Sequence, residues 1–427
     1  MAPADAPTTT DDLRSVDVVV IGAGQAGLSA AAHLRRSGFV PVDAAESVAP
    51  TFVVLDAADG PGGAWRERWP TLTMRTVHSV YELPNRPLPQ FDPELPAAQA
   101  LPAYFGEFEA VEGLRVRRPV QVRAVREAED GLLAVETVDR SGRPVGPVSS
   151  PVAAAPVVED VLGCGAGTTR TPPPPMVRAA QAPRRVRRTW LARALINATG
   201  TWTRPFWPVY PGQREFAGVQ LHTHDYRGPE GFADRDVLVV GGGTSAVQHL
   251  LAIHPVARST TWVTRRPPEW VDAAFSPELG REAVARVEER TRAGLPPASI
   301  VSATGLSLTP EYRAGIDSGV LRARPMFDRL VPEGAQWTPG PVPEGWVDGP
   351  EQVPAQVVLW ATGFRPAVDH LAPLRLRHAN GGIELAGTRA VADSRIQLVG
   401  YGPSASTVGA NRAGRAAARE VRRLLDV

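Results

Sequence analysis

Six small residues at two matching spacings are the ones that could do chemistry. Gly22, Gly24 and Gly27 follow the apolar run VVVI and open an alanine-rich stretch, and Gly241, Gly243 and Ala246 follow VLVV and open AVQHLL. In such a turn the first small residue permits a tight bend and the second lets backbone approach a pyrophosphate. The third lets a helix pack on a strand, and the helix's free N–H groups face the phosphates. The chemistry is the holding of two dinucleotides. Ala23, Gln25 and Ala26 in the first turn, with Thr244 and Ser245 in the second, belong to the same candidate contact set.

Positioning those turns requires two buried parallel strands, each running into a helix. A second strand should then present the group that reads the ribose. FVVLD ends in Asp56, farther from the glycines than usual, so residues 41–51 read as a loop within the unit. Asp43 and Glu46 fit the spacing better but end no apolar strand, which makes Asp56 the ribose acid and Glu46 the fallback. In the second unit TTWVTRR ends in Arg265 and Arg266 where an acid would select NADH. A guanidinium can hold two phosphate oxygens at once, so these arginines predict NADPH, against the blander reading of exposed arginines in an arginine-rich chain.

Composition bounds the rest. The 427 residues are too many for one core. A hydrophobic fraction of 43% and a charged fraction of 21% are those of an ordinary globular protein, and a net charge of +1 leaves no footprint for nucleic acid or a membrane surface. There is no lysine, which reads as genome bias. The lone Cys164 excludes a disulfide framework and a redox Cys-x-x-Cys pair, and predicts a reducing, cytoplasmic setting. No metal-ligand cluster stands out. The N-terminal MAPADAPTTTDD lacks the features of a signal peptide and reads as a disordered leader over residues 1–14, and no run is long and apolar enough to span a membrane.

Along the chain, residues 101–108 predict a helix and 116–125 a strand. Residues 140–188, rich in Ala, Pro, Val and Arg with a PPPP run, predict a flexible insertion whose Arg184, Arg185, Arg187 and Arg188 form a solvated basic run or a docking arm. LARALINATG is a strand leaving through Gly200, and LWATGFRP repeats that exit at Thr362 and Gly363. Residues 277–293 predict a charged helix, whereas the proline-rich stretch 335–354 is uninformative.

With these motifs in place, residues 18–28 and 52–91, through WRERWPTLTMRT and YELPNRPLP, resemble the FAD-binding half of flavin-containing monooxygenases, the YUCCA-type members foremost. The resemblance implies two Rossmann-like dinucleotide-binding domains of α/β class, an FAD domain with an inserted NADPH domain. The expected boundaries are 15–205 and 355–427 for the FAD domain and 206–354 for the NADPH domain. It implies that Gly63, Ala64 and Trp65 meet the flat cofactor, with Arg75 and Thr76 as polar contacts, and that Gly200, Thr362 and Gly363 are hinge residues beside it. FAGVQLHTHDY matches the family's FxGxxxH signature through Phe216, Gly218, His222 and Tyr226. It assigns His222 to NADP and the interdomain linker and leaves His224 incidental. Tyrosine at 226, with no arginine-bearing YPG segment after Trp65, favours the N- and S-oxidising branch over Baeyer–Villiger chemistry. The last strand lacks the usual Gly-Asp at residues 400–402, so Gly402 and Thr407, at the start of a final helix, take the ribityl and pyrimidine side.

The implied reaction is hydride transfer from NADPH to FAD, capture of dioxygen as a C4a-hydroperoxide, and oxygen transfer to a small amine or sulfide, with no catalytic side chain nominated. Two alternatives stay open. One is an NADPH-dependent reductase or oxidase passing electrons to a quinone, metal or oxygen; the other is a non-enzymatic FAD/NADP-binding sensor. Substrate identity and oligomeric state, a homodimer included, are not legible.

Overall fold

The computed structural model describes residues 12–44, 48–77, 80–139, 186–271, 277–297 and 305–427. Strand β1 (Asp12–Ile21) runs through the first glycine turn into α1 (Gln25–Arg36), and β2 (Thr51–Leu55) returns parallel to it, with Ile21 opposite Leu55. Helix α2 (Ala97–Val111) leads to an antiparallel pair, β3 (Val120–Glu127) and β4 (Leu133–Asp139). The long β5 (Val186–Asn197) pairs with β1 along nearly its whole length, with β4 along its first half, and with a late strand near its end.

A second sheet lies between these segments. It is built from β6 (Val219–His222), β7 (Asp236–Val240), helix α3 (Thr244–Ile253), β8 (Ser259–Thr264), helix α4 (Pro277–Arg292), β9 (Ala323–Pro325) and β10 (Val357–Trp360). All five strands are parallel, in the spatial order β9, β8, β7, β10, β6. The chain then re-enters the first sheet as β11 (Ile396–Leu398) and closes with α5 (Thr407–Leu425). This is a mixed α/β fold: the first sheet has a parallel core of β2, β1, β5 and β11 with antiparallel strands added, and the second is wholly parallel.

Strand alternation decides where the core lies. Val18, Val20, Phe52, Val54 and Ile196 face α1 and α5, whereas Val19, Ile21, Val53 and Leu195 face the β3–β4 side with Trp190. α1 and α5 approach closely because a Cβ at Gly414 would lie 2.7 Å from the Ala30 nitrogen. In the second sheet Leu238, Val240 and Trp360 pack under a three-stranded meander through Leu330, Ala335 and Val353, with Phe327 and Trp337 beside its strands. Two of its strands, Gly334–Gln336 and Gln352–Pro354, come from the proline-rich stretch that said little in sequence.

Several expected boundaries move. Residues 12–14, expected in the leader, are ladder residues of β1, because Asp12 pairs opposite Arg188 and accepts from its Nε at 2.8 Å. For the same reason residues 186–188 leave the expected insertion: Arg187 and Arg188 form part of β5, Arg187 exposed to solvent and Arg188 partly buried beside Asp12. The rest of that insertion, with Cys164, Arg184 and Arg185, lies outside the described residues, as does Glu46. The strand expected over 116–125 forms at Val120–Glu127, after Pro119, which has no N–H to give a ladder. The helix expected over 101–108 is longer, at Ala97–Val111.

Candidate functional site

The first glycine turn has the shape its sequence requires. Gly22 sits at φ +96°, and a Cβ there would lie 2.6 Å from the Ala198 oxygen at the end of β5. A Cβ on Gly27 would lie 1.9 Å from the Gly22 oxygen, so helix and turn touch. At Gly24 a Cβ would meet nothing within 4 Å, and no side chain caps the start of α1. The backbone there is open to a ligand, with N–H groups facing it, and a dinucleotide pyrophosphate fits the cradle. Gly63 stands over it, since its Cβ would lie 2.9 Å from the Gly24 Cα.

Asp56 does lie at the mouth of this turn. Its carboxylate is buried and accepts the N–H of Ala23 and, at 2.7 Å, that of Ala58. Gln25 reaches the other way: its Nε2 donates to the Tyr81 oxygen at 2.9 Å and to the Thr407 oxygen at 3.2 Å, tying the starts of α1 and α5 together. A Cβ on Gly400 would lie 3.7 Å from the Gly200 Cα and 3.9 Å from the Ala26 Cβ, so the exits of β5 and β11 converge on the same turn. Gly402 takes φ +57° against Thr291 of α4.

The second turn repeats the design. Gly241 would place a Cβ 2.2 Å from the Ala361 oxygen, Gly243 meets nothing within 4 Å, and Ala246 is fully buried against the sheet. Thr244 and Ser245 open α3, whose start again has no side-chain cap. Arg265 and Arg266 follow β8 directly; both are exposed and neither has a side-chain partner among the described residues.

His222 ends β6 and is completely buried. Its Nε2 lies 3.0 Å from the Gly363 oxygen and its Nδ1 accepts from the His224 N–H at 3.0 Å. Burial drops its pKa to about 4, with the Gly363 hydrogen bond opposing weakly, so the ring is neutral with its proton on Nε2. Thr362, the neighbour of Gly363, donates to the Phe206 oxygen at 2.5 Å. The FxGxxxH segment is thereby fastened to the turn leaving the second sheet.

Not every expected contact gathers here. Arg75 turns to the surface, where its Nε lies 3.2 Å from Glu94, and the Thr76 hydroxyl is occupied within its own turn by Thr73. The Thr76 carbonyl instead accepts from Gln248 of α3. Ala64 and Trp65 pack against the cluster that joins α2 to the second sheet and α3.

One residue escaped the sequence reading. Arg68 sits half-buried, with its guanidinium carbon 4.0 Å from the Trp202 ring centre and 5.7 and 5.8 Å from those of Trp65 and Trp69. Burial alone pulls its pKa down to about 10. Trp69 in turn meets His249 of α3 at a tilt, ring centres 4.9 Å apart, and burial depresses the His249 pKa to about 3. The signal available in sequence was WRERW itself, with Arg66 and Arg68 between two tryptophans.

A family model for pyridine nucleotide-disulphide oxidoreductases matches residues 186–294. The chain is 29% identical over 231 residues to indole-3-pyruvate monooxygenase YUCCA1 of Oryza sativa subsp. japonica, covering 54% of this chain and 43% of that protein. It spans less than half the length of the curated relatives it matches. Among solved structures, a flavin-containing monooxygenase from Stenotrophomonas maltophilia is 31% identical, with 96% of this chain and 99% of that one covered and a TM-score of 0.67. The bacillithiol disulfide reductase of Bacillus cereus, 17% identical with 96% and 99% covered and a TM-score of 0.61, shares the fold. No helix among the described residues is long and apolar enough to cross a membrane.

Proposed function

The chain belongs to the flavin-containing monooxygenase family, and on that premise we propose that it is an FAD-containing, NADPH-dependent monooxygenase that delivers one atom of dioxygen to nitrogen or sulfur of a small-molecule nucleophile. The observation that carries this reading is the pair of glycine turns, each open at its middle glycine, in a chain whose single cysteine rules out dithiol chemistry.

In this reading the first turn, residues 22–27, holds the FAD pyrophosphate, and Asp56 has lone pairs left for a ribose hydroxyl beyond the two N–H groups it already accepts. Gly63, Ala64 and Trp65 cover that cofactor, and Gly200, Gly402 and Thr407 flank its far side. Gly241, Gly243, Thr244, Ser245 and Ala246 hold NADPH, with Arg265 and Arg266 on the 2′-phosphate. Arg75 and Thr76 take supporting places in the loop between the two units. The boundaries expected at residues 15 and 355 shift, because Asp12 already pairs with β5 and β10 lies inside the second sheet between β7 and β6; residues 12–205 with 362–427 would form the FAD domain and 206–361 the NADPH domain.

The chemistry the flavin supplies when bound is hydride acceptance from NADPH and activation of dioxygen, one atom going to the nucleophile and the other to water. The protein's own work is positioning and exclusion of water. Trp69, Trp202 and Tyr226, with Phe364 against them, form an apolar cluster on the second sheet beside α3, Trp69 edge-on to Tyr226 and Trp202 stacked on Phe364. His222, with both ring nitrogens engaged, acts as a positioning residue for the Thr362–Gly363 turn and moves no proton to substrate.

Turnover under ¹⁸O₂ with NADPH and methyl phenyl sulfide tests the reading. The expected result is NADPH, dioxygen and labelled sulfoxide in equal amounts. NADPH oxidation with peroxide as the sole oxygen product, across amines and sulfides alike, would assign the chain to the reductases or oxidases. Absence of NADPH turnover with every acceptor would leave a cofactor-binding sensor.

A further inference from the structure

A withdrawn cation normally has an oxygen beside it, because burying a charge without one is costly. Other withdrawn arginines among the described residues obey the rule: Arg117 has Asp43, Arg118 has Glu109, Arg395 has Asp393, and Arg324 donates to the Pro350 carbonyl. Arg68 departs from it. Among the described residues its side chain makes no ion pair and no hydrogen bond, and its Nε is buried without a partner.

What surrounds Arg68 is aromatic. Three indole rings, Trp65, Trp69 and Trp202, stand within 5.8 Å of the guanidinium carbon, and cation–π attraction offsets only part of the lost hydration. The Trp202 Nε1 is likewise buried with no acceptor, as is the Nε2 of His249 behind Trp69. The place therefore offers a charged fork and a neutral N–H donor on one side and flat apolar walls on the others. It lies between the two glycine turns, since Trp65 belongs to the turn over Gly24, Trp202 follows the Gly200 exit, and His249 is on α3.

We propose that Arg68 anchors a carboxylate on the substrate, so that the compound oxygenated is a small, flat nitrogen or sulfur nucleophile bearing an acid group. This rests on the monooxygenase reading above. Two parallel N–H groups of a guanidinium match the two oxygens of a carboxylate, and the indole walls accept the apolar body. The cofactor phosphates already have their places at Gly24 and Gly243, where helix starts face them. Arg68 is thus a specificity-determining residue whose unpaired charge is retained for a ligand.

The test compares 4-(methylthio)phenylacetate with its primary amide, titrated against the oxidised FAD-loaded protein by perturbation of the flavin spectrum. The wild type is expected to favour the acid about tenfold or more, R68Q to abolish that preference, and R68K to retain part of it. R68Q should melt at or above the wild-type temperature, because it removes an unpaired charge; an arginine kept for structure would lower it. Equal binding of acid and amide by the wild type, or a preference unchanged in R68Q, overturns the proposal. So does a loss of FAD or NADP⁺ affinity in R68Q with the preference intact, which would assign Arg68 to a cofactor phosphate. Because the preference is read by binding, it stands or falls separately from the monooxygenase reading, which fails only if acid-bearing amines and sulfides alike bind and yield peroxide with no labelled product.

Discussion

The Nε2 of His222 and the carbonyl of Gly363 meet at 3.0 Å across the boundary between β6 and the turn that leaves β10; the contact makes Nε2 the donor, while burial keeps the ring neutral. His222→Ala would leave the Gly363 carbonyl and the His224 N–H without their buried partner, at a cost of about 1–3 kcal/mol in unfolding free energy. Chemical denaturation should show that loss, while the pH profile of NADPH oxidation stays where it is. A profile that shifts with the substitution would make His222 a proton-transfer group and contradict the assignment.

The same burial predicts how stability depends on pH. His33, His222 and His370 are each held at about 4 and His249 at about 3, chiefly by desolvation. Each folded-state value is depressed below the unfolded value of about 6.5, so the unfolded chain binds more protons. Their contribution is full above about pH 6.5 and fades as the pH falls through 6.5 towards 4. Thermal melting from pH 7.5 down to 4.5 should fall steadily across that window, and unfolding near pH 5 should take up several protons. A melting temperature flat over the window would mean these rings titrate normally in the folded protein.

Gly24 and Gly27 should fail in different ways. A side chain at Gly24 has open space, so Gly24→Val is expected to give soluble protein with near wild-type melting of the apo form and no retained FAD. At Gly27 the added Cβ would strike the Gly22 oxygen, and Gly27→Val should cost several kcal/mol and fail to accumulate as folded protein. Absorbance at the flavin bands and circular dichroism separate the two outcomes. Yellow Gly24→Val protein would remove the first turn from the FAD site.

Both glycine turns were legible because their meaning is local: strand, bend and helix are specified within about a dozen residues, and the φ +96° at Gly22 is what the motif demands. The start of β1 was not, because DDLRS carries no apolar run. It becomes a strand through pairing with Arg188 and Thr189 of β5, far away in sequence. Arg68 was missed for the same reason. Its tryptophan neighbours in WRERW are local, but Trp202, the ring it covers most closely, arrives on the exit of β5, and His249 behind Trp69 arrives on α3. Arg75 shows the converse, since a polar residue at a motif-like position found an acid, Glu94, on the surface.

Arg265 and Arg266 leave β8 exposed and unpaired among the described residues, where the second strand of a dinucleotide unit presents its ribose reader. A 2′-phosphate there would gain two charge-assisted contacts that NADH cannot make. Replacing both residues by alanine should therefore raise KM for NADPH by about 10- to 100-fold, leave KM for NADH within about twofold, and spare kcat. Raising ionic strength should narrow the wild-type preference for NADPH, since exposed charges are screened over about 10 Å at 0.1 M salt, and should leave the double variant indifferent. Steady-state kinetics with both nucleotides at two salt concentrations decide the matter. An equal loss for NADPH and NADH would show that the two arginines support the fold of the turn and do not read the phosphate.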